Sequence, residues 1–318
     1  MSFDYSSQLT AVVVAEALES APGGGPPAQH ACLDCGAALT NRFCSHCGQP
    51  ADTHRITLKH LLLHDLPHSV WHVDKGLAFT FWQMLTRPGL TIRGYLAGQR
   101  TRQFRPVSYL LLLMGLSALV MSAFQANLQQ AVQAALAAQA AQAAQAAGAG
   151  SPPAALMAVV MERYLSIGIK HPSLVQLVLL PLNALVAWQL LQRAGYNYAE
   201  VLLANAFVVG TITVLNLAIV LPALLVGNSA FLLLSLKGAF IVTLVYTLWV
   251  NAQLQLAAPA LTAARRYRRA LGIFLLQIGV MVLAAAACMA VLTFQVQRER
   301  PDLRPQTAPK KSPTAAMR

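Results

Sequence analysis

Long apolar runs alternate with short polar connections over most of the chain after residue 105. A helix needs about 20 mostly apolar residues to cross a bilayer, and the runs that meet this test cover residues 106–124, 172–191, 198–226, 230–256 and 270–296. Only "GNS", Gly227 to Ser229, separates the third run from the fourth, which predicts a tight helical hairpin. We therefore predict an all-α polytopic membrane protein with about five transmembrane helices, whose helical domain spans residues 106–297.

An Ala/Gln-rich insert, residues 126–150, separates the first two apolar runs. Its alanines favour helix, whereas its repeated glutamines are unfavourable in lipid. We predict a helical spacer outside the bilayer, and a sixth span is the alternative.

The segment before the first run, residues 51–105, mixes apolar and polar positions at helical spacing. Leu62, Leu66, Trp71 and Trp82 alternate with Lys, His and Asp, as in helices that lie along a membrane surface. Pro88–Gly89 ends one such helix, and a shorter helix is predicted for residues 90–97. The segment is therefore predicted to be an amphipathic membrane-surface element.

Four histidines in this segment recur at every fourth position: His60, His64, His68 and His72. On one unbroken helix they would form a stripe able to bind a metal ion, but Pro67 interrupts the helix and divides them into pairs. A second metal site, a pH-sensing role and a plain polar face near lipid headgroups all stay open.

Composition supports the membrane assignment. The 318 residues are 56% hydrophobic and 11% charged, with a formal net charge of +12. That charge must concentrate outside the lipid, where we expect it to meet anionic headgroups and not nucleic acid. A basic collar precedes the first span, and we predict lipid-headgroup or partner contacts for its five arginines: Arg87, Arg93, Arg100, Arg102 and Arg105.

Arginine and lysine in short loops favour the cytoplasmic side of a membrane. The basic collar and "RRYRR", Arg265 to Arg269, which we assign to the connection between the fourth and fifth runs, then share that side if the N-terminus is cytoplasmic. The basic C-terminal tail, residues 298–318, disagrees, because an odd number of spans places it outside. We predict that this tail and residues 1–29 are disordered.

A cysteine-rich stretch, "CLDCGAALTNRFCSHCGQP", lies ahead of the membrane segments. Two C-x-x-C turns, Cys32/Cys35 and Cys44/Cys47, offer four thiolates with the spacing typical of a structural zinc site. We predict a zinc ribbon over residues 30–50, with Zn²⁺ as a structural cofactor. Two disulfides or a redox C-x-x-C are the alternatives, and a cytoplasmic location argues against the former.

The spans contain few ionisable groups. Lys237 lies within the fourth run, and either snorkels to the surface or provides a functional charge inside the membrane. Asn183, Asn205, Asn216 and Asn251 are expected to make helix-to-helix hydrogen bonds. No nucleophile with its base and no phosphate-binding loop is visible, so we predict that the protein is not an enzyme.

The two cysteine knuckles are followed along the chain by the stretch "HVDKGLAFTFWQMLTRPGLTIRGYLAGQRTRQFRPVSYLLLL". This order of elements resembles an uncharacterised bacterial family of zinc-ribbon membrane proteins, the domain of unknown function numbered three-six-six-seven. A looser likeness continues at "GYNYAEVLLANAF", Gly195 to Phe207. The resemblance implies a multi-pass protein of the bacterial inner membrane with a cytoplasmic zinc ribbon, and it implies no activity. Besides the four cysteines, it rests on Gly48, Gln49, Asp74, Thr80, Pro88, Gly89, Tyr95, Gly98, Arg100 and Pro106.

The identifiable sites are structural or adhesive. We therefore predict a non-enzymatic scaffold or regulator whose ribbon docks a protein partner or lipid. The alternative is a transporter or permease with a path lined by Lys237 and the span asparagines. A third hypothesis, a membrane enzyme acting on lipid, would need the four histidines and the basic collar to form a site at the headgroup plane. Anionic lipids and one unknown protein are the expected partners, and a homo-oligomer is compatible with the sequence.

Overall fold

The computed structural model describes residues 31–51, 53, 55–60, 76–130, 133–134, 152–257 and 262–301. These residues are mostly helical and contain no β-strand, only the isolated bridges Ala31↔Ala38 and Phe43↔Pro50. Within the described residues, a single helical turn at Leu58–His60 precedes α1 (Leu77–Thr86), α2 (Pro88–Leu96), α3 (Pro106–Ala123), α4 (Pro152–Lys170), α5 (Pro172–Leu191), α6 (Tyr198–Val226), α7 (Ser229–Leu254) and α8 (Ala263–Glu299).

Five of these helices, α3, α5, α6, α7 and α8, are long and apolar enough to cross a membrane. The predicted all-α, multi-pass architecture is therefore confirmed. The third and fourth spans do form a tight hairpin, because Gly227 ends α6 in a left-handed conformation and the Asn228 side chain caps α7 by accepting from the Phe231 amide.

The start of α8 differs from its prediction. The sequence placed Arg265 to Arg269 in a connection and began the fifth run at residue 270, whereas the helix begins at Ala263. Arginine has high helix propensity, so a basic stretch next to an apolar run extends the helix and does not break it. The basic residues therefore lie in the first turns of α8.

The described residues up to 123 and those of 173–280 form one compact unit. At its centre α6 packs on α3 and α7, and the short helices α1 and α2 pack on α6 and α7. Met84 and Ile92 are fully buried there, whereas Trp82 on the other side of α1 is 64% exposed. Helix α1, which belongs to the segment predicted to be amphipathic, is thus two-faced, and its buried face contacts protein. Residues 61–75 of that segment lie outside the described residues.

Buried polar groups join the elements of this unit. The Tyr109 hydroxyl on α3 lies 2.9 Å from the Thr211 hydroxyl on α6. The Tyr246 hydroxyl on α7 donates to the Met84 carbonyl near the end of α1 at 2.9 Å. Because an unpaired polar group in a dry interior is costly, these contacts fix α3 against α6 and α1 against α7.

The described residues of 124–172 and 281–301 form a second unit. In it α4 packs on the second half of α8 through Leu156, Val160, Leu292 and Val296. Arg163 and Glu299 form an ion pair of 2.6 Å on the surface. Helix α4 was not predicted, although Pro152–Pro153 at its start is a helix-initiation signal. Of the Ala/Gln-rich insert, residues 126–130 and 133–134 are helical, and residues 131–132 and 135–150 lie outside the described residues.

Gly89 provides a test of how closely α2 approaches α7. A Cβ added at Gly89 would overlap the Cβ of Gln253, and the Gly89 amide donates to the Gln253 side chain at 2.7 Å. We expect Gly89→Ala to destabilise the protein by about 1–3 kcal/mol, because the contact has no room for a methyl group. Thermal unfolding in detergent measures the loss.

Gly115→Ala on α3 is the matched control, because no atom lies within 4 Å of an added Cβ there. This variant is expected to match or slightly exceed the wild-type stability, since alanine favours helix. Equal stability of the two variants would show that α2 does not approach α7 as described.

Candidate metal centre and its attachment to the membrane helices

The two cysteine knuckles have the same backbone design. In each, the amide of the glycine after the second cysteine donates to the carbonyl of the first cysteine, Gly36 to Cys32 at 2.9 Å and Gly48 to Cys44 at 2.8 Å. Both glycines have positive φ, 73° and 78°, which other residues rarely adopt. The repeated C-x-x-C-G pattern therefore builds two matching turns that direct their sulfurs inward.

The four sulfur atoms converge on one point. All lie within 4.8 Å of one another, with Cys32 Sγ and Cys47 Sγ 3.4 Å apart and Cys35 Sγ and Cys44 Sγ 3.6 Å apart. Four thiolates around a tetrahedral ion at about 2.3 Å are separated by about 3.8 Å. The cluster fits a single metal ion, and all four cysteines are free of disulfides.

The surroundings prepare one of the thiols for ionisation. Backbone amides of Cys47 and His46 donate to the Cys44 sulfur and lower the pKa of that thiol to about 6. Burial raises the pKa of the Cys47 thiol to about 12. A bound cation would favour the thiolate at both positions.

One face of the ribbon lies on the loop that follows α2. The buried Gln49 amide donates to the Gly98 carbonyl at 2.6 Å, and its oxygen accepts from the Thr101 hydroxyl at 3.1 Å. Gly98 has a φ of 106°, which other residues rarely adopt, and an added Cβ would lie 2.6 Å from Cδ1 of Leu33, so this approach favours glycine. The ribbon therefore packs against the loop after α2.

Charge contributes to the same contact. Asp34 lies between the first two cysteines of the ribbon, and burial raises the pKa of its carboxyl while the nearby Arg102 acts to lower it. The Thr101 backbone also bonds this carboxyl. One arginine of the basic collar thus faces the ribbon.

A second set of contacts joins Arg55 and Ile56, which follow the ribbon, to the start of α6. Arg55 makes a two-pronged ion pair with Glu200, with contacts of 2.7 and 2.9 Å, and donates to the Gly195 carbonyl at 2.6 Å. Asn197 donates to the Ile56 carbonyl at 2.9 Å. Asn197 and Glu200 also form a capping box at the start of α6.

The elements between these attachments have a recognisable sequence. Residues 74–118, which run through α1, α2, the Gly98 loop and the first two thirds of α3, match the family model described as "Protein of unknown function (DUF3667)". The chain carries a DUF3667 segment. The family resemblance seen in the sequence is thereby confirmed over these residues, and the cysteine ribbon lies ahead of the match.

No curated protein and no solved structure matches the chain.

The DUF3667 segment contains the whole basic collar, but the structure gives its arginines different surroundings. Arg100 stacks over the Tyr95 ring at 5.5 Å and donates to the Tyr95 carbonyl. Arg87 and Arg93 line a pocket beside α7, and Arg105 is exposed just before α3. The collar is therefore not a uniform patch.

The interhelical hydrogen bonds predicted for the span asparagines are found at Asn216, whereas the prediction is wrong for Asn205 and Asn251. Asn205 and Asn251 donate to carbonyls of their own helices, those of Val201 and Thr247. Asn216 on α6 pairs with Thr243 on α7 at 3.1 Å, as expected for an interhelical bond. Lys237 is exposed on α7.

The histidine stripe lies outside the described residues at His64, His68 and His72 and at the side chain of His60. Within the described part of the chain, the only group of three or more metal-ligating side chains is the four cysteines. Sequence reasoning missed Arg55 as a partner of Glu200, although the capping box at Asn197 and Glu200 could have been read from the sequence.

Proposed function

We propose that this chain is a non-enzymatic scaffold of the bacterial inner membrane, in which a structural zinc ion holds a cytoplasmic ribbon that docks a protein partner. The observation that carries the proposal is that the ribbon has both attached and exposed residues. Gln49 and Leu33 contact the DUF3667 segment, whereas residues of the second knuckle are exposed.

The exposed knuckle has the composition of a docking surface. Phe43 is 55% exposed, and Arg42, Ser45 and His46 beside it are exposed as well. An exposed aromatic ring next to a guanidinium is typical of residues that contribute most to protein–protein affinity. We define Arg42, Phe43, Ser45 and His46 as the ribbon tip.

The metal chemistry supports a structural role. Four cysteines supply a complete tetrahedral set, so no ligand position is left for a reacting water. A thiolate-only set favours zinc among the common structural metals. The basic ends of the membrane helices, the collar before α3 and Arg265 to Arg269 in α8, support a cytoplasmic ribbon.

Rigid attachment gives such a surface an advantage. The ribbon tip belongs to a metal-held ribbon that packs on the loop after α2, so little conformational freedom is lost when a partner binds. A tethered but mobile ribbon would lack this benefit.

A photo-crosslinking amino acid at position 43, compared with one at position 33, tests the proposal in native membranes. We expect Phe43 substitution to yield an adduct with a second protein, and Leu33 substitution to yield crosslinks within the chain, because Leu33 faces Gly98. The captured protein, once purified, should bind the wild-type chain and lose most binding to Arg42→Glu.

Cys44→Ser with Cys47→Ser should abolish the position-43 adduct while the protein still inserts. An adduct of undiminished yield in that variant would contradict a role for the metal-held ribbon. Adducts to lipid alone would contradict a protein partner.

A further inference from the structure

A pocket lies where the α1–α2 junction meets the end of α7. It is lined by six residues from these two regions: Thr86, Arg87, Leu90, Arg93, Gln253 and Leu256. The pocket is separate from the cysteine cluster, and no contact described for the ribbon involves it.

The polar side of this pocket is rich in donors. The Arg93 Nε donates to the Gly89 carbonyl at 3.2 Å, and this hydrogen bond orients the guanidinium. The Gln253 oxygen accepts from the Gly89 amide at 2.7 Å, which leaves the Gln253 amide nitrogen as a donor. Within the described residues, no carboxylate forms an ion pair with Arg87 or Arg93.

The α2 backbone adds positive electrostatic potential at the pocket. Arg87 immediately precedes α2, and Arg93 lies in its second turn. Both residues are therefore near the first turn of α2, which contacts Gln253. The first turn of a helix carries partial positive charge. Two guanidiniums and an amide donor around one pocket have the chemistry that binds a phosphate group.

The remaining walls are apolar. Leu90 on α2 and Leu256, just after α7, line the pocket, and Leu256 is 41% exposed. The pocket lies at the end of a span, a few residues before Arg265 to Arg269. A free phosphate ion would gain nothing from leucine walls, whereas a lipid would place its phosphate on the arginines and its first acyl carbons on the leucines.

The rest of the collar does not share this arrangement. Arg100 is stacked on Tyr95, and Arg102 faces Asp34 of the ribbon. The collar therefore contains two arginines that contact other parts of the chain, an exposed Arg105, and a pair that opens on a pocket.

We propose that Arg87, Arg93 and Gln253 form a binding site for the phosphate of an anionic phospholipid. This inference deepens the lipid contact proposed for the basic collar, and it does not depend on partner docking by the ribbon tip. Bound lipid would link α2 to α7 at the membrane surface.

Native mass spectrometry of the full chain in detergent, titrated with phosphatidylglycerol, tests the site. We expect Arg87→Gln with Arg93→Gln to weaken binding of the tightest lipid by about tenfold or more, since two charge-assisted contacts are lost. The control is Arg193→Gln with Arg298→Gln, which removes the same charge at two exposed positions. Equal weakening by both pairs would overturn the site in favour of general charge attraction.

Gln253→Glu gives a second readout that keeps the pocket arginines. The new carboxylate can still accept from the Gly89 amide, but it repels a phosphate, so binding should fall by a similar factor. Gln189→Glu, at an exposed position of α5, is its control. Unchanged lipid binding in Gln253→Glu would contradict the pocket.

Inorganic phosphate, added as a competitor, distinguishes a phospholipid ligand from a free phosphate ion. We expect no displacement of phosphatidylglycerol at low millimolar phosphate. Displacement at that concentration would overturn the lipid assignment. Because the cysteines are intact in all these variants, metal content and the position-43 adduct report separately on the ribbon.

Discussion

Replacing Cys44 and Cys47 with serine is expected to remove the bound metal and to unfold the ribbon. Structural zinc sites in small peptides contribute apparent binding free energies of about 10–16 kcal/mol, and a segment of this size cannot bury a core that would replace them. Metal analysis of the wild-type protein should find about one zinc per chain and none in the variant. Hydrogen exchange should rise sharply over residues 31–51.

Unfolding of the ribbon should also destabilise part of the DUF3667 segment. The Gly98 carbonyl and the Thr101 hydroxyl would lose their Gln49 partner, so exchange should rise over the loop after α2 as well. The five spans should remain inserted, because their apolar length does not depend on the metal.

Cys288→Ser is the matched control for these effects. It also removes a thiol, but Cys288 lies on α8 and is not part of the cysteine cluster. Metal content and ribbon exchange should match the wild type. Absence of metal from wild-type protein purified without chelators would contradict the metal centre, and iron in place of zinc would contradict the zinc assignment.

Arg55→Met should destabilise the protein by about 3 kcal/mol. The substitution leaves the Glu200 carboxylate, whose side chain is 6% exposed, without its cation, while the arginine itself is 49% exposed. The cost comes mainly from the uncompensated buried charge and less from the lost attraction. Thermal unfolding in detergent measures it.

A second substitution separates these two contributions. Glu200→Gln removes the charge and can still complete the capping box with Asn197. We therefore expect Arg55→Met with Glu200→Gln to recover part of the stability that Arg55→Met loses. A double variant less stable than Arg55→Met would show that the contact, and not the stranded charge, carries the effect.

Arg163→Met is the control with similar geometry and different burial. The Arg163–Glu299 pair is 2.6 Å long, but its side chains are 40% and 54% exposed. Water already solvates both charges, so breaking this pair should change the unfolding temperature little. Equal destabilisation by Arg55→Met and Arg163→Met would contradict the importance of burial at Glu200.

Local patterns predicted the parts of this protein that depend on local physics. Span length follows from bilayer thickness, so the bounds of α5 and α6 agree with their predicted runs. The basic stretch at Arg265 to Arg269 was placed outside the helix, because charge patterning sets the membrane boundary and does not set where backbone hydrogen bonding begins. The predicted contacts of the basic collar depended on neighbours that lie far away in the sequence.

The sequence by itself determined the number of helices long enough to span a membrane, the tight turn at Gly227 and a cluster of four cysteines able to hold a metal ion, because apolar length, glycine conformation and cysteine spacing act over a few residues. The tertiary structure alone decided that the ribbon is attached through Gln49 and Arg55, and that Arg87 and Arg93 open on a pocket with Gln253. Those outcomes join residues that are distant in the chain, such as Arg55 and Glu200. Such pairs form only when the helices pack, and no local periodicity encodes them.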